Sequence, residues 1–150
     1  MNLISQACRH GLLAATLVAI ASVAAAAEIG QIKVAKGQVS VERKGETLAA
    51  TVGLRLEAAD VVKTGTDGSV GITMSDNSLL SAGPNSALAL ERFEFDPTTS
   101  QGRFDAQLQR GTLSVISGRI AKQSPQAMTV RTPSAALAVR GTEFVVAANE

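Results

Sequence analysis

The sequence predicts an all-β fold, with short antiparallel strands in a sandwich, roll or short solenoid-like arrangement. Three observations point there. Apolar and polar residues alternate with period two in short runs. Turn residues cut those runs at a spacing of about 8–12 residues, the rhythm of sandwiches and barrels. No window carries a sustained helical period with caps.

Residues 38–42 put Val39 and Val41 on one face, and Lys44-Gly45 makes a turn. Residues 58–64 carry Val61 and Val62 and end at Gly65, with Asp67-Gly68 as the next turn. Val70, Ile72 and Met74 alternate with Gly71, Thr73 and Ser75. Asp76-Asn77 is a hairpin signal, because both residue types tolerate the positive φ such turns need. Leu79 and Leu80 follow, then Gly83-Pro84-Asn85. Leu88, Leu90, Phe93 and Phe95 mark a longer strand pair, and residues 96–102 form a polar loop. Residues 104–109 read as one strand, broken at Gly111, and 112–117 as another. Residues 118–126 read as a loop with Pro125. Residues 128–131 form a strand stopped by Pro133, and 135–140 and 144–147 are the last two, separated by Gly141.

The chain has 150 residues, room for one domain. It begins with a polar segment, 1–10, whose clear cation is Arg9. Residues 11–27 are uncharged, centred on Leu12, Leu13, Leu17, Val18 and Ile20, and end in Ala24-Ala25-Ala26-Ala27 before Glu28. Small residues three and one positions before the cut are what signal peptidase accepts. Residues 1–27 are therefore read as a secretory signal peptide, and 28–150 as a single all-β domain. The competing reading is an uncleaved anchor, although a spanning helix wants about 20 apolar residues and this run is short and Ala-rich.

Cleavage removes Arg9 and leaves 13 basic against 13 acidic residues. With no net positive field, nucleic-acid binding is not expected. The single Cys, Cys8, and the single His, His10, leave with the peptide, so the remaining chain can build no disulfide, no Ser-His-Asp triad and no His-ligated zinc. Val, Leu, Ile and Phe still number 12, 10, 5 and 4, enough for a core without disulfides.

The C-terminal third is similar to a known family. Val130-Arg131-Thr132-Pro133-Ser134-Ala135 followed by Val139-Arg140-Gly141-Thr142-Glu143-Phe144-Val145-Val146 resembles the closing signature of the FecR domain family. Leu56-Glu57-Ala58-Ala59-Asp60-Val61-Val62-Lys63-Thr64, the 70–78 hairpin and Gln109-Arg110-Gly111-Thr112-Leu113 fit in the same order, so the resemblance covers about residues 56–147. It implies an extracytoplasmic module, periplasmic or secreted, in a bacterium. In the namesake regulators such modules help relay an outer-membrane receptor's state to a sigma factor. Those proteins also carry a helical anti-sigma region that this sequence does not show, so sigma regulation is not carried over. The resemblance transfers no catalytic residue.

Candidate sites are few. Glu91 and Glu94 are a conceivable carboxylate pair for glycoside chemistry, but three residues apart on a strand they would point to opposite faces. Asp96, Asp105 and the loop between them lack the spaced acids and central Gly of a calcium loop. Lys33, Lys36, Arg43 and Lys44 read as a solvated, aggregation-resistant edge. Arg140-Gly141-Thr142 reads as a tight bend, with Gly141 at positive φ or under close backbone approach; a partner surface is the other reading. An apolar final strand around Phe144 is expected to bury that ring. No catalytic, cofactor-binding or metal-ligating residue is nominated. The function expected is a non-enzymatic binding module in cell-envelope signalling or assembly. Its partner would be an unknown envelope protein or cell-envelope polymer, without nucleic acid and with no membrane span after cleavage. The alternative is a membrane-tethered periplasmic sensor with the N-terminal segment retained.

Overall fold

The structure, a computed structural model, describes residues 26–138 and 141–149. Twelve strands run β1 (Glu28–Lys36), β2 (Val39–Arg43), β3 (Glu46–Ala49), β4 (Arg55–Glu57), β5 (Val61–Thr64), β6 (Ser69–Met74), β7 (Leu79–Ala82), β8 (Ala87–Phe95), β9 (Gly102–Ile116), β10 (Met128–Arg131), β11 (Ala136–Ala138) and β12 (Glu143–Ala148). A single helical turn, α1 (Arg119–Gln123), and a 3₁₀ turn (Pro125–Ala127) lie between β9 and β10.

All twelve strands belong to one curled sheet with two halves. The first half runs β4-β1-β6-β7-β9-β12 and the second β3-β2-β5-β8-β9-β10-β11. Strand β9 serves both. Its residues 102–110 pair with β8, while Gly111 to Ile116 pair with β12. Inward side chains are Phe104, Ala106 and Leu108 before Gly111, but Leu113 and Val115 after it. The parity changes because Gly111 turns the strand at φ +90, where a side chain would sit 2.1 Å from Ser86 Oγ. The sequence reads as two strands here, and the structure makes one bent strand of fifteen residues.

Alternation then builds the core. Val70, Ile72 and Met74 of β6 are 3%, 2% and 2% exposed, and Leu80, Leu88, Leu90, Phe104 and Leu113 are buried with them in one cluster drawn from both halves. Each such side chain contributes about 1.5–3 kcal/mol. Phe93 stands edge-on to Phe104, ring centroids 5.4 Å apart.

Four of the places where the chain passes between the halves, residues 37–38, 65–68 and 83–86 and Gly111 within β9, lie against one another. Gly65 donates to the Gln38 carbonyl at 2.8 Å, Asn85 to that of Gly65 at 3.0 Å and Gly83 to that of Thr112 at 3.1 Å. Two buried hydroxyls lock them. Thr64 Oγ1 donates to the Gly83 carbonyl (2.6 Å) and accepts from the Ser86 amide (2.9 Å). Ser86 Oγ donates to the Thr112 carbonyl (3.2 Å) and accepts from the Thr112 amide (3.0 Å).

The far end is closed by Asp76, fully buried at the β6–β7 turn. Its carboxylate accepts from the Ser78 amide (3.0 Å), the Ser78 hydroxyl (2.8 Å) and the Ile120 amide (3.2 Å). The last of these satisfies one of the free amides at the start of α1.

Several expectations are corrected. Residues 118–126 are not a plain loop; α1 is too short to show a helical period, and Asp76 supplies its cap from 44 residues away. Because this crossover returns the chain in the same direction, β10 pairs parallel with β9, the exception in an otherwise antiparallel sheet. Residues 58–64 are a strand only from Val61; Ala59, at φ +71, turns the chain out of β4. The sequence reading names no separate strands at β1, β3 and β4. Register shifts in β1 break its alternation, and β3 and β4 are four and three residues long. Leu137 is 41% exposed on β11, and Phe144 is half-buried rather than buried, because β11 and β12 lie at sheet edges. Val139 lies outside the described residues.

Gly111→Ala and Gly141→Ala separate strain from overlap. Gly141 sits at φ +111 with nothing within 4 Å of an added Cβ, so alanine there should cost about 1–2 kcal/mol in urea denaturation. Gly111→Ala adds the clash with Ser86 and should cost roughly 1–3 kcal/mol more. Phe144→Ala should cost less than Phe104→Ala, whose fully buried ring is worth about 3–5 kcal/mol.

Candidate functional site

The outward face of β8, β9 and β10 carries a charged groove of about 410 Å³, lined by Glu91, Arg92, Arg103, Asp105, Thr129 and Arg131. Its geometry follows from register. Arg92 lies opposite Asp105, Glu94 opposite Arg103, and Asp105 opposite Thr129 on the parallel strand. A register shift between Leu90 and Arg92 inserts an extra residue in β8. Glu91, Arg92 and Glu94 are all exposed as a result, so the expectation that Glu91 and Glu94 point to opposite faces is corrected by this bulge.

Both carboxylates that line the groove, and Glu94 beside it, are held by arginines. Arg92 Nη2 lies 2.9 Å from Glu94 Oε1, Arg103 Nε lies 2.8 Å from Asp105 Oδ2, and Arg131 pairs with Glu91. The bond from Arg103 to Asp105 holds the guanidinium pKa above its ordinary value. Three cations meet three anions; Glu94 stands just outside the groove and is well exposed, whereas Asp105 is largely enclosed. Such a surface offers fixed donors and acceptors to a polar ligand.

The other sequence candidates are dispersed. Asp96 accepts from the Thr98 amide at 2.8 Å, which lowers its pKa, while Asp105 is engaged by Arg103. Among the described residues no group of three or more His, Cys, Asp or Glu is placed to hold a metal ion. Lys33 and Lys36 lie on β1, and Lys44 in the β2–β3 turn. Arg43 is not a solvated edge charge. Its Nε and Nη2 donate to Oδ1 and Oδ2 of Asp60 at 2.9 and 2.6 Å, and its Nη1 lies 3.1 Å from Glu57. Asp60 is 1% exposed, and its bond to Arg43 raises the arginine's pKa.

Gly141 has the positive φ expected of it, but in open space rather than under close approach. Its carbonyl accepts from Ser117 Oγ at 3.0 Å, and that of Thr142 accepts from the Ser117 amide at 2.7 Å. Arg140, Cys8 and His10 lie outside the described residues. The sequence reading missed Arg92, Arg103, Thr129 and Arg131 as a group. The alternation Arg103-x-Asp105 was visible, whereas the parallel pairing that brings Thr129 and Arg131 beside it was not.

A family model described as FecR protein matches residues 60–150, more than half of the chain. This chain belongs to the FecR family. The FecR match begins at Asp60, the buried partner of Arg43, and takes in every residue that lines the groove. Strands β1–β4 precede the matched segment, yet β1 is bonded between β4 and β6, and β2 between β3 and β5. No match is found among curated proteins or solved structures. Among the described residues no helix is long and apolar enough to cross a membrane.

The two kinds of ion pair should separate on mutation. Arg43→Ala strands the Asp60 carboxylate in the interior and should cost about 3 kcal/mol or more. Arg92→Ala removes an exposed pair and should cost no more than about 1 kcal/mol. Urea midpoints of the two variants check this.

Proposed function

We propose that this FecR-family chain is a non-enzymatic extracytoplasmic binding module that acts in cell-envelope signalling or assembly. The family match over residues 60–150 carries the reading. The N-terminal sequence supports export, since 1–27 has the charge, apolar run and small-residue end of a signal peptide. The start of β1 at Glu28, the residue after the cut, is compatible with release of an intact domain. The groove supports recognition, because each of its carboxylates is matched by an arginine and the paired groups present donors and acceptors at the surface. Its ligand would be an envelope protein or polymer rich in hydrogen-bonding groups.

Intact-mass measurement of the protein recovered from the periplasm should give a chain beginning at Glu28. A mass that retains residues 1–27 would favour the membrane-tethered sensor instead. For the groove, the parent should enrich a defined component from an envelope extract, and Arg103→Ala with Arg131→Ala should lose it while melting like the parent. Equal enrichment by both proteins would remove the groove from the reading.

A further inference from the structure

The curled sheet ends in four strands, β3 and β11 on one half and β4 and β12 on the other. Exposed edges invite pairing, and proteins blunt them by shortness, charge, proline or bulges. Three of these edges are blunted. Strand β4 has three residues, and Arg55 and Glu57 are tied into ion pairs with Glu28 and Arg43. Strand β3 has four residues and opens with Glu46, and β11 has three. Strand β12 is different. Its six residues, Glu143-Phe144-Val145-Val146-Ala147-Ala148, pair with β9 in unbroken register. It has no Lys, Pro or bulge, and its one charge stands at its start. Val145 at its middle is 67% exposed, the most exposed large hydrophobic residue described. Among the described residues its outer edge has no strand partner.

We propose that β12 pairs antiparallel with β12 of a second copy, Val145 opposite Val145 on a two-fold axis, joining two first halves into one continuous sheet. The register follows from the side chains. With Val145 on the axis, Phe144 meets Val146 and Glu143 meets Ala147, so no carboxylate opposes another. The side chains keep their faces, because antiparallel partners point the same way. Charge favours the same occupant. The outward neighbours of β12 are Thr112, Ser114 and Ile116 on β9, then Leu79 and Ser81 on β7. None is charged, so a second copy brings no like charge alongside. The contact is isologous and closes at two copies, so it does not propagate into fibres. One strand pair is a small contact, and the dimer is accordingly weak.

The test uses the protein as purified from the cells that make it, in whichever N-terminal form they yield. Sedimentation equilibrium over about 10 µM to 1 mM should show a monomer–dimer equilibrium. Val145→Lys places like charges at the axis and should raise the dissociation constant roughly tenfold or more. Its melting temperature at low concentration should match the parent's. In a Cys8→Ser background, Val145→Cys should link two copies by a disulfide under mild oxidation, since directly opposed Cβ atoms lie about 4.5–5.5 Å apart. Leu79→Cys, exposed on the same face but away from the edge, should not. A protein that stays monomeric throughout, a dimer indifferent to Val145→Lys, or equal linking through residue 79 would each overturn the proposal. The cross-linking result stands even if the lysine variant fails to fold.

Discussion

The fold depends on one corner. Where the chain crosses from one half of the sheet to the other, several turns lie against each other, and the backbone groups left over from the strands must find partners away from water. Thr64 and Ser86 supply them. Each hydroxyl both donates and accepts, so each joins two segments of chain distant in sequence. Only a hydroxyl can serve both ways in so little space, and only glycine fits at position 111 beside Ser86. With the corner set, the curl of the sheet is set. The inward faces of β6, β8 and β9 then meet in one core without any disulfide.

A second layer of polar structure is spread over the rest of the molecule, and burial decides what it does. Asp60 is enclosed and satisfied by Nε and Nη2 of Arg43 and by the Glu57 amide, which ties β2 to the turn before β5. Asp76 is enclosed too, but its partners are amides and a hydroxyl, and it fastens α1 to the β6–β7 hairpin. Beyond it, Arg119 on α1 donates to the Pro97 carbonyl and the Ser100 hydroxyl and lies over the Phe95 ring at 5.2 Å. The groove pairs lie at the surface, with Asp105 the most enclosed of their carboxylates, and they organise an outer face.

Much of the architecture was legible in the sequence, because a strand with one wet face writes its period directly. Val70, Ile72 and Met74 show this, as do the turns at Lys44-Gly45, Asn77 and Asn85, all now seen at positive φ. What escaped was decided by distant partners. Gly111 looks like a break until Ser86 is placed beside it. The turn at α1 has no periodicity of its own and owes its cap to Asp76. The groove escaped for the same reason: Arg131 becomes a neighbour of Glu91 only through the parallel pairing of β10 and the bulge in β8. An apolar run alone does not tell an edge strand from an interior one, and Phe144, expected to be buried, lies half-buried at the rim.

The position of β9 also bears on the order in which the molecule can assemble. Four strands, β7, β8, β10 and β12, hydrogen-bond to it, two of them made before it and two after. A chain that emerges amino-end first can form the hairpins β2–β3 and β6–β7 early, because their partners are close in sequence. It cannot unite its two halves until residues 102–116 are free, since β8 and β7 meet only through that strand. Closure of long loops is slow, and until then both halves present open edges to whatever is nearby. The late arrival of one strand is therefore the step at which this chain either completes its core or finds another chain to pair with.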